Sequence, residues 1–491
     1  MPKPRLESER IFGNFIGGKW TSPETEDLIV DENPATKEII AYFPRSGKDE
    51  AAEAIEEAAK AFSPWADTPP PQRGKVLLRA ANIMENRSED LSISLTREEG
   101  KTIKESRGEV ARAIDIFRFY GSLGFRLKGE TAPSMEKNTL LYTMRSPLGI
   151  VAVITPWNFP IAIPAWKIAP ALVAGNTVVF KPASLTPIIA MELVKALDEA
   201  GLPKGVINFL TGPGNTVGEE LIMNPNVGAI TFTGSYDVGS RINKVCSSTR
   251  IVRTQLEMGG KNPTVVCEDA NLDEAVEIVV KAAFGLTGQA CTATSRVIVE
   301  KGVTGVFIEK LLSRTRRIRV GNGLDENVDM GPAVSEAQRN TDFEYIRIGK
   351  EEGAKLILGG AIPQGREFQN GYFVEPTIFT DVAPGMRIAQ EEIFGPVLAI
   401  VEAENFEDAL QIANNSQYGL SASICTTNLK KAHQFAARVQ AGVVKVNKPT
   451  TGLELQVPYG GIKKSSSQSF KEQGEQAIEF FTQTKTVYLG Y

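Results

Sequence analysis

Residues 149–181 read GIVAVITPWNFPIAIPAWKIAPALVAGNTVVFK, and the fold follows from how this stretch can be arranged. The runs 149–155 (GIVAVIT) and 177–181 (TVVFK) are short, apolar and rich in β-branched residues, which predicts strands covered on both faces. A helix is predicted between them at 160–174, giving strand, helix, strand, the pattern of a parallel βαβ unit. Further strands at 206–210 (VINFL) and 228–232 (GAITF), with helices at 187–200 and 216–223, extend it into a doubly wound parallel sheet. Pro187 after Thr186 predicts a capped helix start. From Pro147 to Trp166 there are twenty residues without a charge, long enough to imitate a membrane span. Pro156, Pro160 and Pro164, with Asn158 among them, would break such a helix in lipid, so a buried strand running into a loop is the better reading.

Upstream, SGKDEAAEAIEEAAKAF (46–62) opens with Ser-x-x-Asp and puts Ala51, Ile55, Ala58 and Phe62 on one stripe, predicting a helix from near 47. More helix follows to about 122, interrupted near Ser88 and Gly100. Downstream, a second alternating run starts near 263 (PTVVCE). It continues through a helix at 272–286, a strand at 296–300 and a helix at 303–315, and ends near VVKVN (443–447), predicting a second α/β domain. Residues 126–146 and 482–489 read as extended strands outside both sheets. A terminal strand with no partner in its own domain implies pairing with another chain.

Composition narrows the chemistry. A chain of 491 residues with net charge −5 argues against nucleic acid as the main partner. A single histidine, His433, excludes metal sites built on His clusters and leaves at most one imidazole for a catalytic triad. It lies in the plain helical pattern KKAHQFAARV (430–439), which reads as a surface or packing position. Cys246, Cys267, Cys291 and Cys425 are widely spaced, with no C-x-x-C, as expected for reduced cytoplasmic thiols. The segment MPKPRLESER lacks the apolar core of a signal peptide. Gly and Pro make 72 of 491 residues, too few for low complexity, so a chain folded throughout is expected.

Reactive residue types fall at element ends. In FTGSYDVGS (232–240), Gly234 and Gly239 flank a helix start, where glycines either admit a phosphate to backbone N–H groups or serve only as turn residues. Lys181 ends a strand, with Ser184 three residues on, at the carboxyl edge where parallel sheets bind ligands; a solvated lysine is the plain alternative. Cys291, in GQACTATSR (288–296), is either an inert thiol or a nucleophile. With a free thiol pKa near ~8.5, the second role requires activation by a carboxylate, a helix terminus or a bound cofactor's charge. Glu257, in LEMGGKNP (256–263), is a base or a surface carboxylate. Asn158, in TPWNFP (155–160), either points an amide N–H at an oxyanion or bonds its own backbone.

Together TPWNFP, KPAS (181–184), FTGS (232–235), LEMGGKNP, GQACTATSR, EEIFGPV (391–397) and VPYGGIK (457–463) occur in the order and at the spacings of the aldehyde dehydrogenase superfamily, which the chain resembles over nearly its whole length. The resemblance implies a Rossmann-like dinucleotide-binding domain, a second α/β catalytic domain and a small β oligomerisation element. The corresponding residues are 1–122 with 147–257, 258–446, and 123–146 with 470–491, leaving 447–469 as a substrate-tunnel loop. It implies Cys291 as a nucleophile forming a thiohemiacetal, and an oxyanion hole from the Asn158 side chain and the Cys291 N–H. Hydride passage to a nicotinamide would then leave a thioester. Glu257 matches the base for its hydrolysis, and Lys167 a lysine near that glutamate that helps proton movement. Thr155, Pro156, Trp157, Lys181, Gly214, Ser235 and Glu392 match dinucleotide contacts, with Phe232, Gly234 and Gly239 in the same turn region. Glu392 would bind the nicotinamide ribose, and Phe394 would stand against the ring.

Relatives preferring NAD commonly carry a glutamate where this chain has Ser184, so the resemblance implies that NADP is accepted, alongside NAD. Near the C-terminus many relatives have S-G-x-G after GG-x-K, whereas this chain has KKSSSQSFKEQG (463–474). That variant, with VNKPTTGLELQVPYGG (446–461) before it, is similar to the α-ketoglutaric semialdehyde (2,5-dioxopentanoate) dehydrogenases of sugar-acid catabolism. The expected partners are a small aldehyde and further copies of the chain, as a homodimer or homotetramer, in the cytoplasm, without metal, nucleic acid or membrane. Lys448 and the 448–456 loop are the candidates for holding a substrate carboxylate. Succinic semialdehyde or a neutral aliphatic or aromatic aldehyde is the alternative substrate, and a catalytically silent structural member the alternative outside enzymology.

Overall fold

The computed structural model of the chain describes residues 11–21 and 27–491; the N-terminal segment read for a signal peptide lies outside the described residues. The opening stretch forms the βαβ unit. Ile150–Ile154 and Thr177–Lys181 are buried at every position and pair in parallel, Val151 with Val178 and Val153 with Phe180. Ala162–Ala174, between them, is buried along its whole length. Pro164 falls in its first turn, where a missing N–H costs nothing. Gly175, at φ 99°, ends it and bonds back to Ala171 and Leu172. The helix cannot present a polar face, so buried side chains take its last carbonyls: Arg73 Nε donates to Val173 O (2.9 Å) and Trp65 Nε1 to Leu172 O (3.2 Å). No helix among the described residues is long and apolar enough to cross a membrane, and the uncharged stretch is strand, loop and buried helix.

The first sheet has the order Arg253–Glu257, Val227–Thr233, Ile150–Ile154, Thr177–Lys181, Ile207–Phe209, followed by the short antiparallel strands Phe15–Ile16 and Lys19–Trp20. The chain runs 150, 177, 207 to one side and returns to lay 227 and 253 on the other. The order therefore reverses between Ile150–Ile154 and Val227–Thr233, and the crevice beyond their carboxyl ends is where such sheets take ligands. The second sheet has the order Lys355–Leu358, Thr377–Thr380, Val397–Ala403, Thr294–Glu300, Asn262–Val266, Ser421–Cys425, Val443–Val446, parallel except for the first. Only 258–261 separate the two sheets, so the first sheet's edge strand leads directly into the centre of the second.

Two helix starts differ from the expected caps. Ser46 accepts from Asn14 Nδ2 (2.8 Å), and the Gly47 N–H of helix Lys48–Asp67 donates instead to the Glu50 carboxylate (2.9 Å). Phe62 is only partly buried, and Trp65 takes the next core position. At Pro187–Glu199, the Thr186 hydroxyl is buried without a partner among the described residues; Glu98, in the last turn of helix Ser88–Glu99, accepts from the N–H groups of Ile188 and Ile189 (3.0 Å to the latter).

The terminal strand also differs. Thr482–Gly490 pairs within its own chain, antiparallel to Thr139–Pro147 from Thr482–Pro147 to Gly490–Thr139, with Thr131–Ala132 on the far edge. Sequence adjacency hid this partner, which lies more than three hundred residues upstream. Leu140, Met144, Tyr488 and Leu489 remain exposed on this small sheet.

Candidate active site

The reactive residues converge where the two sheets meet. Glu257 is the last residue of Arg253–Glu257, and Cys291 stands just before Thr294–Glu300. The approach to Cys291 is a tight loop in which Leu286 (φ 54°), Thr287 (φ 57°) and Gly288 (φ 69°) are all left-handed. A Cβ on Gly288 would lie 2.3 Å from the Gly395 carbonyl, so only glycine lets this loop cross the Phe394 segment. Asn262 Nδ2 holds the far side, donating to the Cys291 and Ala293 carbonyls (both 2.8 Å).

VPYGGIK ties the two catalytic candidates together. Gly461 N–H donates to Glu257 Oε2 (3.1 Å), Ser466 Oγ donates to Oε1 (2.9 Å), and Tyr459 Oη lies 3.3 Å from Cys291 Sγ. A Cβ on Gly460 would lie 2.5 Å from Glu257 Oε1, so the motif's first glycine makes room for the carboxylate. Burial, then the Glu472 charge, pushes the Glu257 carboxyl up to about 8. Burial pushes the Cys291 thiol up to about 12; Glu392, Glu257 and Glu472 add to this, against the Tyr459 hydrogen bond. The free protein thus holds a neutral thiol among carboxyl groups, and forming the thiolate needs added positive charge.

Lys167 is fully buried, donating to Thr231 Oγ1 (2.8 Å) and pairing with Glu472. Trp166 Nε1 also donates to Glu472 (2.9 Å). Lys167 thus reaches the site through Glu472, the group that acts electrostatically on Glu257. Asn158 is buried; Nδ2 donates to the Gln289 carbonyl (3.0 Å), two residues before Cys291, and its other N–H has no hydrogen bond among the described residues.

Several of the residues expected to contact a cofactor stand at the carboxyl ends of the strands on either side of the switch point. Thr155, Pro156 and Trp157 follow Ile150–Ile154, Lys181 ends the neighbouring strand, and Phe232 and Ser235 flank the end of Val227–Thr233. Lys181 is 6% exposed and, among the described residues, bonded only to the Pro182 carbonyl (3.0 Å); burial pushes it down to about 8. The hydroxyls of Thr155 and Thr233 are buried without partners among the described residues. An unneutralised lysine and orphaned hydroxyls fit a ligand carrying hydroxyl and phosphate oxygens. Ser184 is partly buried, and Gly214 is exposed at the start of the Gly214–Gly218 turn. Across the crevice, Phe394, itself left-handed (φ 65°), meets Trp157 edge-on with centroids 5.2 Å apart, and Glu392 accepts from Gly260 N–H (2.8 Å). Burial pushes Glu392 up to about 7.

The turn glycines act otherwise than as an open cradle. Gly234 N–H already donates to the Glu257 carbonyl (3.1 Å), and Ser235 caps helix Tyr236–Thr249 through Val238 N–H (3.5 Å). A Cβ would meet the Phe232 ring at Gly234 and Met258 Sδ at Gly239, 2.5 Å away in each case. They permit close packing beneath the crevice.

Tyr459, Glu472 and Gln289 are site residues that motif matching left without roles, although VPYGG and KKSSSQSFKEQG contain the first two. A groove of about 680 Å³ along 442–458 borders Tyr459, its charged lining being Lys281, Lys445, Lys448 and Glu454. Lys445 is bonded to the carbonyls of Thr451 (2.6 Å) and Gly452, whereas Lys448 is exposed.

The profile of the Aldehyde dehydrogenase family matches residues 20–487. The chain is 48% identical over 479 residues to the alpha-ketoglutarate semialdehyde dehydrogenase of Haloferax volcanii, covering 97% of this chain and 99% of that protein. It is 48% identical over 478 residues to the 2,5-dioxopentanoate dehydrogenase of Saccharolobus solfataricus, with the same coverage. Among solved structures, betaine aldehyde dehydrogenase of Staphylococcus aureus in complex with NAD+ superposes with a TM-score of 0.94 at 32% identity, covering 97% of this chain and 94% of that one.

Proposed function

Given that the chain belongs to the aldehyde dehydrogenase family and oxidises an aldehyde with NAD(P), we propose that its substrate is α-ketoglutaric semialdehyde and that Cys291 carries the acyl intermediate. The observation that carries the site reading is the convergence of Cys291, Glu257 and the Asn158 amide at the junction of the two sheets, with one segment, 459–461, touching both Cys291 and Glu257. The substrate reading is supported by two relatives at 48% identity over nearly the full chain and by the groove bordering Tyr459, where three lysines outnumber the one carboxylate, Glu454.

Cys291 first gives up its thiol proton to water; the thiolate Sγ then attacks the aldehyde carbon, and the new alkoxide takes hydrogen bonds from the second Nδ2–H of Asn158 and the backbone N–H of Cys291. When bound, the dinucleotide supplies the hydride acceptor and a positive charge. Thr155, Trp157, Lys181, Ser235, Glu392 and Phe394 would hold it. Collapse of the thiohemiacetal leaves a thioester on Cys291. Glu257, ionised, takes a proton from a water, which attacks the thioester carbon and releases the free acid with the thiol. Lys167 and Glu472 form the buried pair through which that proton can leave.

Ser184 in place of an acidic residue supports use of NADP alongside NAD. The exposed Leu140, Met144, Tyr488 and Leu489 on the three-stranded sheet support a homodimer or homotetramer. The test is a panel of semialdehydes and neutral aldehydes with both dinucleotides, read as kcat/KM. The reading expects α-ketoglutaric semialdehyde to lead; a preference for hexanal or benzaldehyde would overturn it.

A further inference from the structure

We infer that Lys101 and Glu109 are positioning residues for the oxyanion donor, a buried ion pair that fixes the Asn158 loop and so sets where the Asn158 amide points. The inference rests on the reading of Asn158 given above. Lys101 follows Gly100 (φ 98°) in the turn between helices Ser88–Glu99 and Ile103–Leu123, and Glu109 stands two turns into the second. Both are buried.

Lys101 Nζ donates to Glu109 Oε2 and to the Asn158 carbonyl, each at 2.6 Å, and stands 4.7 Å from the centroid of the Phe159 ring. The other carboxylate oxygen, Glu109 Oε1, accepts from the N–H groups of Ile161 and Ala162, both at 3.1 Å. Those N–H groups open helix Ala162–Ala174, whose N-cap, Ile161, offers no side-chain cap. One carboxylate therefore caps the helix and anchors the lysine, and the lysine anchors the carbonyl of the oxyanion residue. Residues 158–162 are gripped from an element some fifty residues upstream, while the Asn158 side chain is held opposite by Gln289.

The Asn158 carbonyl carbon is bonded to the Cα that carries the amide side chain, so a shift of the carbonyl carries the Cα with it and displaces the amide. A buried ion pair adds little stability over apolar packing, whereas a displacement of about 1 Å can cost on the order of 10²-fold in rate. The arrangement fits placement better than stabilisation.

The test is a double-mutant cycle on the full-length enzyme, read as the stopped-flow rate of the NAD(P)H burst. Lys101→Met is expected to slow the burst at least about tenfold in the parent but less than about twofold in the Asn158→Ala background, with dinucleotide affinity unchanged. Equal losses in both backgrounds would overturn the linkage, as would a parent-like burst in Lys101→Met. A parent-like burst in Asn158→Ala alone would instead overturn the underlying oxyanion reading. Should Lys101→Met fail to fold, Glu109→Gln carries the same cycle. Its amide oxygen still accepts from Ile161 and Ala162 while the lysine loses the nearer of its two buried carboxylate partners and keeps Glu99 at 3.8 Å.

Discussion

Glu257 is buried beside Glu472, and its carboxyl is pushed up to about 8, far above its ordinary value. A base with that pKa works only when ionised, so deacylation should weaken as pH falls. Near pH 7 about a tenth of the molecules carry the ionised base, and near pH 6 about a hundredth, so the deacylation rate should fall roughly tenfold per unit below 8. An ordinary carboxylate would give a flat profile over that range. Stopped-flow absorbance separates the steps, because acylation produces the NAD(P)H burst and deacylation the steady rate that follows. The perturbation is Glu257→Gln, which keeps the size of the side chain and removes the base. It should leave a burst approaching about one equivalent per active site and lower the steady rate by about 10²–10⁴-fold, with little pH dependence. A flat steady rate in the parent between pH 6 and 8, or a parent-like steady rate in Glu257→Gln, would refute the reasoning.

Three other outcomes follow from the same geometry. Ser184→Glu places a carboxylate three residues past Lys181 and should shift kcat/KM toward NAD by about tenfold, or ~1.4 kcal/mol, measured with both dinucleotides. Because the Cys291 thiol is pushed up to about 12 in the free protein, its alkylation by iodoacetamide, followed by peptide mass spectrometry, should rise about tenfold per pH unit from pH 7 to 9. His433 is exposed on helix Leu429–Arg438, so His433→Asn should leave kcat and Tm unchanged; a large loss of kcat would show that the lone imidazole takes part.

The central architecture was legible because it is written in local periodicity. The apolar strands at 150–154 and 177–181 and the helix between them can be covered in few other ways, and the motifs sit at their ends. What was hidden lies in long-range polar pairing. Ser46 and Thr186 have the right chemistry for caps, but Asn14 takes the first, and Glu98 displaces the second from nearly ninety residues upstream. Thr482–Gly490 looked unpartnered only because Thr139–Pro147 is so distant in sequence. The pattern marked Gly234 as a candidate phosphate contact, yet its N–H is occupied by the Glu257 carbonyl, a contact no turn signature reveals. Glu472, Lys101 and Glu109 escaped because each acts through a neighbour's backbone or carboxylate, and Tyr459 because it reaches the Cys291 thiol from a segment 168 residues away; residue type alone shows neither.

The central claim is that the acyl group passes through Cys291. Its most direct measurement is intact-protein and peptide mass spectrometry of Glu257→Gln, quenched in acid during turnover of α-ketoglutaric semialdehyde with NAD(P). The prediction is an added mass equal to the substrate's acyl group less the thiol hydrogen it replaces, confined to the Cys291 peptide and absent from the double variant with Cys291→Ala. NAD(P)H formation with no such adduct, or an adduct that survives Cys291→Ala, would contradict it.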